Sequence, residues 1–201
     1  MAWSDGDDTS VRVTGLRRGR TYPATAARHL LNPLRRIVQP PGRIVGRMKI
    51  APSDRVLEIG CGPGWFTPTL CAATPNGSVI AADLQHEMVT ICRARTADAA
   101  NVVVVRADAM ALPFAPATFD AVLLVTVLGE TSDPGRCLHE IARLLAPVGS
   151  VTVCETRRDS DFIPIARLTA LASEAGLVLA SRHGSRVEYT ARFVRNDAPP
   201  R

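Results

Sequence analysis

With 201 residues, 46% apolar and 21% charged, the chain is large enough for one α/β domain and short for two, and no stretch reaches the roughly 18 apolar residues of a membrane span. An acidic start without a signal peptide's basic and apolar regions, and five cysteines without a CxxC pair, argue against a secretory leader, a disulfide framework and a zinc site, so a cytoplasmic, metal-free protein is expected. The net charge of +5 is uneven, since Val11 to Lys49 holds ten basic residues and no carboxylate while the remaining 14 face 19 acidic ones; this stretch reads first as a solvated face and second as an attractor of anionic substrate, acidic lipid or nucleic acid.

Residues 1–20 are polar without an apolar period and read as a loose arm. Ala26/Ala27, Leu30/Leu31, Leu34 and Ile37/Val38 then recur at helical spacing. Asn32-Pro33 breaks that run, because proline removes a backbone donor and Asn32 can cap a second helix. A short helix follows from Pro41 to Met48. From Asp54 the pattern changes to alternating strands and helices. Strands are predicted over Arg55–Ile59, Ser78–Ala82, Val102–Arg106, Phe119–Thr126 and Ser150–Cys154, and Phe119–Thr126 is apolar enough to be buried on both sides. Helices are predicted over Trp65–Ala73, Gln85–Ala97, Asp133–Leu145 and Phe162–Ala175, with Asp133 as N-cap and Pro134 in the first turn of the third. Leu177–Arg182 and Val187–Arg195 then form an antiparallel hairpin across His183-Gly184-Ser185-Arg186. Such alternation predicts a mostly parallel, doubly wound α/β sheet. The five cysteines read as small buried hydrophobes.

Chemistry concentrates in Glu58-Ile59-Gly60-Cys61-Gly62-Pro63-Gly64-Trp65. Three glycines leave the first strand and open a helix, which lets a ligand lie against bare backbone beyond the strand ends. A dinucleotide fingerprint needs glycine where Trp65 stands. Glu58 would sit poorly beside a pyrophosphate, whereas a carboxylate there suits a ligand with a cationic amino-acid moiety. Cofactor charge therefore favours S-adenosylmethionine over a nicotinamide dinucleotide.

Glu58-x-Gly60-x-Gly62-x-Gly64 resembles the first motif of the class I S-adenosylmethionine-dependent methyltransferases, and the likeness runs from Asp54 to about Thr156. It implies a Rossmann-like, doubly wound seven-stranded sheet, mostly parallel with an antiparallel C-terminal hairpin strand and helices on both faces. Asp83, with Leu84 after it, takes the place of the family's ribose-gripping acid. Asp108 and Ala109, in Arg106-Ala107-Asp108-Ala109-Met110-Ala111-Leu112-Pro113-Phe114, take that of its adenine contacts. Val125 and Thr126 end the fourth strand near the sulfonium. The implied cofactor-binding set is Glu58, Gly60, Cys61, Gly62, Gly64, Asp83, Leu84, Asp108, Ala109, Val125 and Thr126. Leu138 to Gly149 is similar to the family's helix-to-strand corner but departs at Val148, where glycine is usual. Leu112-Pro113-Phe114 with Phe119-Asp120 is most similar to the small-molecule branch that includes quinone-biosynthesis methyltransferases.

The reaction implied is in-line methyl transfer to a small-molecule acceptor, lipophilic or anionic, leaving S-adenosylhomocysteine. Positioning and water exclusion carry most of it, with a general base only for an acceptor proton of high pKa. Candidates for that base are Glu130, His29 and Tyr22, whose plainer readings are a cap, a surface side chain and packing; His86, His139 and His183 rank lower. The domains read as an arm (1–20), a helical lid (21–49), the cofactor domain (50–195) and a tail (196–201). Peripheral membrane contact through the basic stretch and a monomer or homodimer are compatible with this. A rival from the same fold class is a nicotinamide-dependent oxidoreductase; another is a non-catalytic nucleic-acid binder. With 4% aromatic residues and no recognition motif, nucleic acid is not expected.

Overall fold

A computed structural model describes residues 40–197. The arm, the helical run 26–38, His29 and Tyr22 lie outside the described residues. Pro41–Met48 forms α1, with proline in its first turn, Ile44, Val45 and Met48 buried, and Lys49 at φ 57° ending it. Arg47 donates to the Thr190 hydroxyl at 3.0 Å, and Arg192 donates to the Met48 carbonyl at 3.1 Å, fastening α1 to the far side of the domain.

The strands are β1 (Arg55–Ile59), β2 (Ser78–Asp83), β3 (Val102–Arg106), β4 (Phe119–Val125), β5 (Leu145–Thr156), β6 (Leu177–Gly184) and β7 (Glu188–Arg195). They form one sheet in the order β3-β2-β1-β4-β5-β7-β6. β1 to β5 pair in parallel, and β7 runs antiparallel between β5 and β6. The helices are α2 (Thr67–Ala73), α3 (His86–Arg95), α4 (Pro134–Leu144) and α5 (Ile165–Glu174). This is the expected doubly wound sheet with its antiparallel C-terminal hairpin.

Strand periodicity explains why both faces are covered. On β4, Val122 and Leu124 join Leu138, Ile141, Leu168 and Ala172 from α4 and α5. Ala121, Leu123 and Val125 point the other way, into the cluster that holds Ile44, Val45, Leu70 and Cys71 from α1 and α2. Glu58 shares the parity of Val56 on that second face, so its carboxylate aims at α2.

Other expectations have physical counterparts. Asp133 accepts from the Arg136 backbone at 3.0 Å and caps α4. Phe114 meets Phe119 edge-on at 5.3 Å, and Asp120 accepts from the Arg55 backbone at 2.9 Å, so this pair of motifs fixes the start of β1 and β4. All five cysteines are buried free thiols. β5 departs from expectation: it begins at Leu145, which already pairs with Phe119, and a register irregularity absorbs Ala146 to Gly149 before Ser150 pairs with Ala121. The corner is thus a bulge inside the strand. The helices start one to three residues later than the apolar pattern, since that pattern marks the buried face and not the hydrogen-bonded ends. Among the described residues no helix is long and apolar enough to cross a membrane.

Candidate functional site

The chain leaves β1 through a loop whose three glycines, Gly60, Gly62 and Gly64, stand at φ 68°, 53° and 77°. Side chains avoid this region, so the loop needs glycine. The backbone N–H groups of Gly60 and Cys61 both donate to the Ala82 carbonyl, at 2.8 and 3.0 Å, and tie the loop to the end of β2. A Cβ on Gly60 would stand 2.3 Å from a methyl of Val127, and one on Gly64 would stand 3.0 Å from the Cys92 sulfur. The loop is wedged between the ends of β4 and α3.

Two buried carboxylates flank it. Glu58 accepts the Thr67 hydroxyl proton at 2.6 Å. Burial pushes its pKa up to about 8 against the lowering effect of that bond, with Cys92 and Asp83 adding to the rise. Asp83 accepts from Gly62 N–H through one oxygen at 2.8 Å and from Gln85 N–H through the other at 2.9 Å. Burial raises its pKa while those two N–H groups lower it. Each Asp83 oxygen keeps a lone pair for a further donor. Asp108 is exposed and uses Oδ1 to accept from Met110 N–H at 2.9 Å. Its segment is clamped from α4: Glu140 accepts from Leu112 N–H at 2.9 Å, and Arg143 donates to the Phe114 carbonyl at 2.9 Å while pairing with Glu140 at 2.7 Å.

These groups line one cavity of about 290 Å³ at the carboxyl ends of the parallel strands, where open α/β sheets place their ligands. Glu58, Gly60, Cys61, Gly62, Asp83, Leu84, Asp108, Ala109, Val125 and Thr126 all face it. Gly64 does not; it faces α3. Thr126 is at φ 54°, a costly conformation for a β-branched residue and a marker of strain at a strand end. Of the candidate bases, Glu130 lines the cavity from the short 3-10 turn after β4. Asp159, also lining, was missed from sequence; its one signal was an acidic residue in the loop directly after a parallel strand. Trp65, Phe66, Met88 and Met110 add apolar wall. Among the described residues five carboxylates and no lysine or arginine line the cavity, and no cluster of His, Cys, Asp and Glu is placed to hold a metal ion.

A third buried carboxylate, Glu155, accepts from Ile163 N–H at 3.3 Å and is pushed up to about 8 by burial. Glu58 and Glu155 therefore stay protonated in the folded state between 4.5, their ordinary value, and about 8. Over that window the folded protein binds more protons than the unfolded chain, so stability falls as pH rises. Each group can contribute up to about 1.4 kcal/mol per pH unit. The ligand-free protein is expected to melt at a lower temperature at pH 8 than at pH 6, and the Glu58→Gln/Glu155→Gln double variant to flatten that slope. Equal slopes in both proteins would exclude these two groups as its origin.

Comparison with known proteins places this geometry. Residues 56–149 match the model of a family described as a methyltransferase domain. The chain is 34% identical over 115 residues to a demethylmenaquinone methyltransferase of Clavibacter sepedonicus, covering 56% of this chain and 46% of that protein. It thus spans half or less of the curated relatives it matches. Among solved structures, a SAM dependent methyltransferase from Aquifex aeolicus superposes with a TM-score of 0.79 at 18% identity, over 87% of this chain and 98% of the other. The [4+2]-cyclase SpnF superposes at 0.65 with 23% identity, over 73% of this chain and 60% of the other. At such identities the solved structures speak for the fold, which serves more than one chemistry.

Proposed function

We propose, from the premise that this chain carries a class I S-adenosylmethionine-dependent methyltransferase domain, that it transfers the methyl group of S-adenosylmethionine to a small-molecule acceptor by in-line displacement. The observation that carries the reading is the pairing of buried Glu58 and Asp83 on either side of the glycine loop. The fit to this cofactor is good on three counts. The loop offers bare backbone that a Cβ would obstruct. Glu58 is a buried carboxylate whose described partner is a neutral hydroxyl, so a cationic ligand group relieves the cost of its charge. Asp83 presents two oxygens with acceptor capacity left for a pair of sugar hydroxyls.

On this reading Asp83 holds the ribose, Asp108 and the Ala109 N–H meet the adenine, and Glu58 balances the amino-acid end. Val125 and Thr126 border the reacting end. When bound, the cofactor supplies a methyl carbon already activated by its positive sulfur. The chain's own task is to orient the acceptor and exclude water, for which Trp65, Phe66, Met88 and Met110 provide apolar wall. Glu130, with Asp159 beside the same cavity, is the group placed to take a proton if the acceptor carries one. The described lining contains no lysine or arginine, so a neutral or lipophilic acceptor suits it as it stands. An anionic acceptor would need counter-charge from the arginine-rich stretch 11–49. Residues 50–195 serve as the catalytic domain. Within the lid stretch 21–49, Pro41–Met48 packs into the core and lines no part of the cavity, so the acceptor-facing lid role is assigned to the residues before it, and removal of residues 1–38 should cost acceptor turnover and spare cofactor affinity.

Trp65 lines the cavity and offers a direct test. S-adenosylhomocysteine should quench tryptophan fluorescence saturably, and NADH should not. Isotopically labelled S-adenosylmethionine with a metabolite extract should then yield labelled products by mass spectrometry. Saturable quenching by NADH, with none by S-adenosylhomocysteine, would replace this reading by the oxidoreductase.

A further inference from the structure

Cys61 and Cys92 belong to different parts of the chain and meet in one small buried cluster with Ala81, Val89 and Val104. Cys61 lies between the first two loop glycines and lines the cavity; Cys92 lies on α3, fully buried. The loop already leans on Cys92, because the space beside Gly64 is filled by that sulfur. Cys71, Cys137 and Cys154 pack in other clusters, and none of them lines the cavity. We propose that Cys61 and Cys92 form a reversible disulfide that closes this cavity when a hydroperoxide enters it.

Three further observations support the pair. Its neighbour Cys61 pulls Cys92 below its ordinary pKa, while Cys61, whose thiol donates to the Gly62 carbonyl at 3.5 Å, is pushed up by Cys92 and by burial. Cys92 is therefore the more acidic of the two, and the Thr67 hydroxyl, whose proton goes to Glu58, lies 3.5 Å from its sulfur. Cys61 gives a small polar oxidant its route, through the open cavity, to a pair that is otherwise sealed. The chemistry balances with hydrogen peroxide as oxidant. A thiolate sulfur attacks one peroxide oxygen, the O–O bond breaks, and the departing hydroxide takes a proton and leaves as water. The sulfenic acid so formed loses its hydroxyl as a second water when the partner sulfur displaces it. In sum, two thiols lose two hydrogens and one peroxide becomes two waters. An S–S bond of about 2 Å has to draw Cys61 towards α3. Cys61 is covalently joined to Gly62, whose N–H is held by Asp83, so the bond displaces the loop from the carboxylate assigned to the ribose.

The closure half of this inference rests on reading the cavity as the cofactor site; the cross-link itself does not. Full-length protein is treated with hydrogen peroxide, digested without reduction and mapped by mass spectrometry, and its affinity for S-adenosylhomocysteine is measured before oxidation, after it, and after dithiothreitol. Expected are a Cys61–Cys92 cross-linked peptide, an affinity at least tenfold weaker after oxidation, and recovery on reduction. Cys92→Ala and Cys92→Ser should each bind as the unmodified protein does and keep that affinity through peroxide; the serine variant guards against a packing defect in the other. Cross-links confined to other cysteines, sulfinic acid alone, or a Cys61–Cys92 bond with unchanged affinity would overturn the proposal. If reduced protein binds no S-adenosylhomocysteine, the cofactor reading and the closure fall together, and the peptide map still decides the disulfide.

Discussion

Asp83→Ala is expected to weaken S-adenosylhomocysteine binding by about a hundredfold or more while leaving the domain folded. A hydrogen bond to a charged acceptor contributes about 1.5–3 kcal/mol, and two sugar hydroxyls on one carboxylate give roughly 3 kcal/mol at the lower bound, which is about a hundredfold in affinity. The same carboxylate holds Gly62 N–H at 2.8 Å and Gln85 N–H at 2.9 Å, so its loss also loosens the loop. Stability should change less, because removing a buried charge offsets part of the two lost bonds. Calorimetric titration beside a melting curve separates the two effects. An affinity within about threefold of the parent would remove Asp83 from the role assigned to it.

Gly60→Ala should lower stability by about 2–5 kcal/mol and abolish measurable ligand binding. Two costs combine. At φ 68° a side chain costs about 1–2 kcal/mol, and crowding in a packed interior adds about 1–3 kcal/mol. The crowding here is against Val127, whose methyl carbons would stand 2.3 and 2.8 Å from the new Cβ. For a domain of this size each kcal/mol lowers the melting temperature by about 2–4 °C. Combining Gly60→Ala with Val127→Ala should recover the crowding part and leave the conformational part, so the rescue is expected to be partial. Full rescue would show that left-handed geometry is unimportant at Gly60. No rescue would show that Val127 is not the obstacle.

Much of the sheet was legible because its strands alternate in two directions at once. Val56, Ala121 and Leu123 enter one core and Leu57, Val122 and Leu124 the other, and runs of that composition have few other uses. The glycine loop, Glu58 and Asp83 were legible because charge and backbone freedom restrict what can stand beside a ligand. Asp159 was not, since an acidic loop residue becomes a cavity residue only through where β5 ends. Nor was the company kept by Gly64 and by Cys61: both meet Cys92, and nothing in local sequence announces a contact between a loop and the helix after the next strand. The early start of β5 was hidden for a related reason. Leu145 belongs to the strand by virtue of Phe119 across from it, while its own neighbours read as the end of a helix.

β7 sits between β5 and β6, although it is made after both. A ribosome therefore delivers β6 before the strand it must pair with, and the open side of β5 has no neighbour until residue 195 has left the exit tunnel. Until then the nascent sheet carries an unfinished margin along β5. The sheet closes only once β7 has been inserted between its two neighbours.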